Sequence, residues 1–215
     1  MGAEDLGKKR FEDIYSVHEC AFGREPLAIV KKIPEFLAEG TVFDCGAGEG
    51  RNAIFLAKRG YYVTAVDYAP AGIEKIRRSA EEQQIEKLKI QAYVRDLRTL
   101  EIPVNKDIIL ATLVLQTMTQ WEARAFIERM KIATPEGGLN VLEVITKDSD
   151  FYRENPGTEH FFPDPGEIQT YYEGWEIHLF PPRVWKAFRT RDDGSAMMNT
   201  SEGIIVRKPF KQNTQ

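Results

Sequence analysis

Three glycines at alternate positions, Gly46, Gly48 and Gly50, follow directly on a short apolar run, Thr41–Cys45, and lead into a helical pattern at 51–59. With Asp44 two residues before the first glycine, the segment reads Asp-x-Gly-x-Gly-x-Gly where a strand passes into a helix. Glycine lets a backbone turn sharply and lets a ligand come close where a Cβ would clash. A helix starting there offers free amide groups and the positive end of its dipole to a carboxylate or phosphate. A simple turn needs one glycine rather than three, so the loop reads as a binding element. Ligands of open α/β sheets sit at these carboxyl ends of strands.

The pattern around the loop supports such a sheet. Strand-like runs at 41–45, 61–66, 89–94, 107–115 and 139–146 alternate with helical patterns at 51–59, 70–84 and 120–133. Ile73, Ile76 and Ala80 mark one face of the second helix; Ala123, Phe126, Ile127 and Met130 mark the third. An earlier helix reads from Pro26 through Leu27, Val30, Ile33 and Leu37, restarted or kinked at Pro34 and stopped at Gly40. Alternation of this kind predicts an α/β fold, a doubly wound, Rossmann-like sheet with helices on both faces.

After Thr146 the character changes. Residues 148–165 are long for a loop and hold Pro156, Pro163, Pro165, Phe151, Tyr152, Phe161 and Phe162. A short helix near 166–172 and strands at 176–180 and 203–207 follow, with a hairpin tip expected over 189–200. No linker is visible, so residues 1–215 read as a single domain with a loose polar arm at 1–12 and an aromatic-rich insertion on the acceptor side at 147–173.

Composition narrows the function. Lys plus Arg is 29 and Asp plus Glu is 33, a net charge of −4, which lacks the overall attraction to phosphate backbones of many nucleic-acid binders. Cys20 and Cys45 make no disulfide framework, and His18 with these cysteines matches no metal-ligand spacing. No run approaches the ~20 apolar residues of a membrane span, and the first residues lack a signal-peptide core. A cytoplasmic protein acting on a small molecule, with no metal, membrane or nucleic-acid partner, is expected; oligomeric state is not legible.

The glycine loop fails two common phosphate signatures. A dinucleotide fingerprint starting at Gly46 needs Gly or Ala where Arg51 stands, and no Gly-Lys-Ser/Thr follows for a phosphate-binding loop. Other strand ends carry acids in order. Asp67, followed by Tyr68, lies 23 residues after Asp44 and suits both ribose hydroxyls. Asp96 and Leu97 end the third strand, and Thr112 lies at the end of the fourth, beside the same crevice.

Asp44, Gly46, Gly48 and Gly50 resemble the first motif of class I S-adenosylmethionine-dependent methyltransferases. Gly48-x-Gly50-Arg51-Asn52, Phe55-Leu56-Ala57, Gly60-Tyr61, Val66-Asp67 and Tyr171-Tyr172-Glu173-Gly174-Trp175-Glu176 are similar to the tellurite-resistance-type members. The resemblance implies a seven-stranded sheet whose last strand is antiparallel, and S-adenosylmethionine as cofactor. It implies cofactor contacts at Arg24, Asp44, Gly46, Gly48, Gly50, Asn52, Asp67, Tyr68, Asp96, Leu97 and Thr112. Arg24 enters because related sequences carry an Arg just before the first helix, suited to the methionine carboxylate. Related sequences also carry a His-Arg pair in a late loop; here the pair is Phe188-Arg189, so the Arg is kept and the His is not.

Arg189 and His160 are the catalytic candidates, while His178, within a late strand pattern, reads as structural. The aromatics Phe151, Tyr152, Phe161, Phe162, Tyr171, Tyr172 and Trp175 suggest an acceptor pocket. With no clear base, a thiol, a chalcogen oxyanion or another soft or already ionised acceptor is favoured. The alternative is a non-catalytic S-adenosylmethionine-binding sensor or partner module.

Overall fold

The computed structural model describes residues 3–86 and 89–211. Its helices are α1 (Ala3–Val17), α2 (Ala28–Lys31), α3 (Ile33–Phe36), α4 (Arg51–Lys58), α5 (Pro70–Glu82), α6 (Gln120–Ala133), α7 (Asp150–Glu154) and α8 (Glu167–Thr170). Its strands are β1 (Thr41–Cys45), β2 (Tyr62–Asp67), β3 (Ile90–Val94), β4 (Ile108–Thr112), β5 (Leu139–Ile145), β6 (Glu176–Thr190) and β7 (Ala196–Arg207).

Among the described residues the strands form one seven-stranded sheet in the order β3-β2-β1-β4-β5-β7-β6. β1 to β5 pair in parallel, and β7 runs antiparallel between β5 and β6. The order reverses between β1 and β4, so β1 and β4 diverge into opposite halves and leave a crevice at their carboxyl ends.

Alternate residues along the central strands feed two separate cores. Val42, Val63, Ala65, Ile108 and Leu110 join the layer with α2 to α5, where Ile33, Ile54, Ile73 and Ile76 are buried. Phe43, Cys45, Ile109, Ala111 and Leu142 face the other way, onto Ala123, Phe126, Ile127 and Met130 of α6. Burying each of the Val, Leu, Ile, Phe and Met side chains among them contributes about 1.5–3 kcal/mol, and the two-sided demand makes these strands apolar throughout. Thr119 and Glu122 form a reciprocal capping box that starts α6.

Three expectations are revised. The polar stretch up to residue 12 is not a loose arm: residues 1 and 2 lie outside the described residues, and the rest enter α1. Phe11 and Tyr15 anchor that helix, Tyr15 only 6% exposed. The last hairpin is longer than its apolar patches suggest, and its tip is shorter, between Thr190 and Ala196. Pro181 and Pro182, which have no amide hydrogen to donate, lie on an edge strand where the register shifts between Phe180 and Arg183, so no ladder donor is missed. The 148–165 stretch is not wholly loop, since α7 lies within it, while α8 falls where the short helix near 166–172 was expected.

Candidate cofactor and acceptor cleft

The glycine loop is shaped by contacts that leave no room for side chains. Gly46, Gly48 and Gly50 have φ of 73°, 55° and 87°. A Cβ on Gly46 would lie 2.4 Å from Val114 Cγ2, and one on Gly48 2.9 Å from the Tyr15 hydroxyl. Gly72 in α5 serves the same loop, because a Cβ there would meet the Gly48 carbonyl oxygen at 2.6 Å. The amides of Gly46 and Ala47 donate to the Val66 carbonyl at 2.9 and 3.0 Å, fastening the loop to the end of β2.

A cleft of about 810 Å³ opens above this loop. Gly46, Gly48, Asn52, Asp67, Tyr68, Asp96, Leu97 and Thr112 all line it, as do His160 and Arg189. The buried Asp67 carboxylate accepts the Gly48 amide at 2.8 Å and the Ala69 amide at 2.9 Å. Burial raises its pKa, and the amides of Ala69, Gly48 and Tyr68 pull it back. Asp96 lines the cleft with its carboxylate held by Arg98, at 2.7 Å to Nη2 and 3.0 Å to Nε.

Asn52 lines the cleft and is also a tie within the fold, whereas the expected contacts Gly50 and Arg24 lie outside the cleft wall. Asn52 accepts from the Leu27 amide through Oδ1 and donates through Nδ2 to Thr112 Oγ1, each at 3.0 Å. It joins the start of α2, the first turn of α4 and the end of β4, while still lining the cleft. Gly50 lies beneath the loop, against Ile76 at 2.6 Å for an added Cβ, and is not in the cleft wall. Arg24 also lies outside the wall. Gly23 turns the chain there with φ 79°, and Arg24 pairs at the surface with Glu19 at 2.6 Å, their side chains 77% and 78% exposed.

Asp44 sits under the loop, 1% exposed, and its Oδ2 has no hydrogen-bond partner among the described residues. Burial, then the Asp67 charge, pushes its pKa up to about 7, with Arg51 opposing.

Sequence reasoning missed an ion pair beside the loop. Glu49 Oε1 lies 2.7 Å from Lys75 Nζ, with side chains 9% and 15% exposed. Glu49 Oε2 accepts the amides of Ala21 and Phe22, and Lys75 also donates to the His18 carbonyl. This pair straps the segment after α1 onto the cleft. Its signal, an acid between two motif glycines, is indistinct from an ordinary loop charge. Leu113, at φ 54°, is a second missed feature: a non-glycine in a strained conformation on the cleft wall.

The acceptor half is mixed. Phe151 and Phe162 line the cleft with ring centroids 5.7 Å apart. Phe161 and Tyr172 are core residues instead. Tyr172 accepts from Asn140 Nδ2 at 3.1 Å, and its ring meets Trp175 edge-on, so the Tyr171–Glu176 segment packs the fold. Phe188 and Arg189 lie on β6 rather than in a loop. Phe188 packs on Phe22 and on the edge of His18, at 5.4 and 5.3 Å, binding β6 to the segment after α1. His160 is held by an isolated antiparallel bridge to Thr119. His178 pairs with Glu176 at 2.7 Å on β6. Among the described residues, no three His, Cys, Asp or Glu are grouped to hold a metal ion, and no helix is long and apolar enough to cross a membrane.

A sequence model of the family described as tellurite resistance protein TehB matches residues 20–200. The chain belongs to the TehB family. The match spans the glycine loop, strands β1 to β6 and the start of β7 up to Thr200. Similar curated proteins include hemagglutinin 1 of Eikenella corrodens, 27% identical over 180 residues, covering 84% of this chain and 58% of that protein. A probable S-adenosyl-L-methionine-dependent methyltransferase TehB of Haemophilus influenzae is 26% identical over 167 residues, covering 78% of this chain and 57% of that protein. The chain thus spans less than three fifths of the length of these curated relatives. The crystal structure of TehB from Haemophilus influenzae superposes with a TM-score of 0.73 at 22% identity, over 94% of this chain and 67% of that one. The N-methyltransferase NodS from Bradyrhizobium japonicum, solved with S-adenosyl-L-homocysteine, gives 0.68 at 14% identity, over 95% of this chain and 99% of that one. The fold is therefore the Rossmann-like one of these methyltransferases.

Proposed function

We propose that this chain is an S-adenosyl-L-methionine-dependent methyltransferase acting on a small-molecule acceptor. The observation that carries the reading is the Asp67 carboxylate set against the Gly48 amide, at 2.8 Å, on the wall of one cleft. The residues fit the cofactor. Asp67 is oriented by two backbone amides and keeps lone pairs for a vicinal diol. The loop carries no side chain at Gly46 or Gly48, and Asp44 Oδ2 lacks a partner among the described residues. Asp67 would hold the ribose, Tyr68, Asp96 and Leu97 the base end, and the Gly46–Gly48 backbone the methionine end.

Bound S-adenosyl-L-methionine supplies a methyl group on a sulfonium, an electrophile that needs no further activation. The chain's own work is then alignment of the acceptor and exclusion of water. Phe151 and Phe162 give the acceptor side an apolar wall. Arg189, its guanidinium 5.3 Å from the Phe151 ring centre, positions charge on that side. His160 lines the cleft at an exposed position, held by its bridge to Thr119. The lack of a buried base beside the acceptor among the described residues of the wall supports a soft or already ionised acceptor such as a thiolate or a chalcogen oxyanion. The net charge of −4 supports a small molecule over a nucleic acid.

The test is release of S-adenosyl-L-homocysteine, followed by mass spectrometry, from protein given S-adenosyl-L-methionine and a panel of thiols, selenite and small amines. Release with a thiol or selenite is expected. Tight binding of S-adenosyl-L-homocysteine with no release across the panel would favour the non-catalytic binding module.

A further inference from the structure

The mouth of the cleft holds more cations than its own carboxylates engage. Among the described residues that line it, Asp96 is taken by Arg98, Glu49 by Lys75, and Glu122 by the capping box of α6, while Glu159 and Lys186 also line it, Glu159 exposed at the rim, and neither forms an ion pair among the described residues. Asp67 accepts backbone amides. Arg183 is bound to the buried Glu143 at 2.6 Å and stacked on Trp185 at 3.9 Å, and Arg51 donates to the Phe22 carbonyl. Arg10 of α1 and Arg189 of β6 face the same space, with no ion-pair partner among the described residues. Partial burial and the Arg189 charge both work against the Arg10 charge, with Tyr68 opposing. Two guanidinium groups brought to one mouth repel each other until an anion lies between them, and each offers a planar fork suited to a carboxylate or oxyanion.

We propose that Arg10 is an acceptor-positioning residue that works with Arg189 to grip an anionic group on the acceptor. The proposal rests on the methyltransferase reading of the cleft. The helix that carries Arg10 is fixed to the cofactor half: Phe11 meets the Tyr68 ring edge-on at 6.4 Å, and Tyr15 lies over Gly48. Arg189 stands across the mouth on β6, backed by Phe151. An acceptor bearing its charge beside its nucleophile is thus referenced to both halves at once, which is what alignment requires. Acceptor choice then resides partly on α1, outside the alternating strand-helix core.

The experiment uses two thiols with the same nucleophile, mercaptoacetate and 2-mercaptoethanol, one with a carboxylate and one without. Both are titrated calorimetrically into the full chain and its Arg10→Gln, Arg10→Lys and Arg189→Gln variants, with and without S-adenosyl-L-homocysteine. The wild-type protein is expected to bind mercaptoacetate about tenfold more tightly, the scale of one charge-assisted contact. Arg10→Gln and Arg189→Gln lose that preference, Arg10→Lys keeps most of it, and none changes S-adenosyl-L-homocysteine affinity. Where turnover is seen, Arg10→Gln raises KM for mercaptoacetate alone and leaves kcat within twofold. Equal binding of the two thiols by the wild type, failure of mercaptoacetate to bind, or a preference that survives in Arg10→Gln would overturn the proposal. The S-adenosyl-L-homocysteine titration reports separately on the methyltransferase reading. A preserved anion preference with no cofactor-product binding would sink that reading and the acceptor role of Arg10 with it, leaving an anion site alone.

Discussion

Gly46→Ala isolates what the glycine loop requires. Gly46 combines a φ of 73° with a virtual Cβ 2.4 Å from Val114 Cγ2 and 2.7 Å from Val114 Cβ. The left-handed backbone alone costs an L-residue about 1–2 kcal/mol. Forcing a methyl into a filled site adds about 1–3 kcal/mol. The expected loss is therefore ~2–5 kcal/mol. Gly60 supplies the control, since its φ is 95° but nothing lies within 4 Å of an added Cβ. Gly60→Ala bears the backbone term without the crowding, and the effect of Ala on the unfolded chain is common to both. Urea unfolding of the two variants thus reads the crowding as their difference. A double-mutant cycle with Val114→Ala sharpens the assay: removing the Val114 γ-methyls should return part of the crowding cost, on the order of 1 kcal/mol, while the retained Val114 Cβ keeps the rest. Equal losses in Gly46→Ala and Gly60→Ala, or no coupling to Val114, would refute the argument that Val114 seals the loop.

Other substitutions probe other parts of the site. Asp67→Asn keeps one acceptor oxygen and should weaken S-adenosyl-L-homocysteine binding by ~1–3 kcal/mol in calorimetry, the scale of a lost charged hydrogen bond; unchanged affinity would remove the ribose assignment. Asp44 has a folded pKa pushed up to about 7 by burial, above its ordinary carboxylate value. The folded state therefore binds more protons than the unfolded state between those values, and this group's contribution to stability falls as pH rises through them. Urea unfolding should show Asp44→Asn gaining on the wild type between pH 5 and pH 8, by a few kcal/mol at most; a constant difference would mean Asp44 is not protonated on folding. Arg24→Ala should change stability by less than ~0.5 kcal/mol and leave S-adenosyl-L-homocysteine affinity unaltered, since its partner is the exposed Glu19; a tenfold loss of affinity would return Arg24 to the cleft.

The parts of the site legible in the sequence are those set by topology. Asp44, Asp67, Asp96 and Thr112 stand at or just after the ends of successive parallel strands, and the sheet order brings those ends together without any further information. The glycines were legible because their spacing exceeds what a turn needs. What was lost depends on long-range contacts. α1 is polar enough to read as an arm, and its place over the cleft comes from Phe11 and Tyr15 meeting Tyr68 and Gly48, more than 30 residues away. Arg24 was placed by resemblance, and a positive-φ turn at Gly23 sends it to the surface instead. Asn52 lines the cleft with the rest of the motif, but its tie from Leu27 to Thr112 depends on contacts 25 and 60 residues away and was not legible. The length of β6 was hidden by Pro181 and Pro182, whose effect depends on whether the strand lies at an edge.

Calorimetric titration of the purified chain with S-adenosyl-L-methionine and S-adenosyl-L-homocysteine, with NAD as control, bears most directly on the central claim. The account predicts dissociation constants around the micromolar level for both sulfur compounds and no heat of binding with NAD. Binding of NAD alone, or of none of the three, would contradict it and leave the glycine loop serving another ligand.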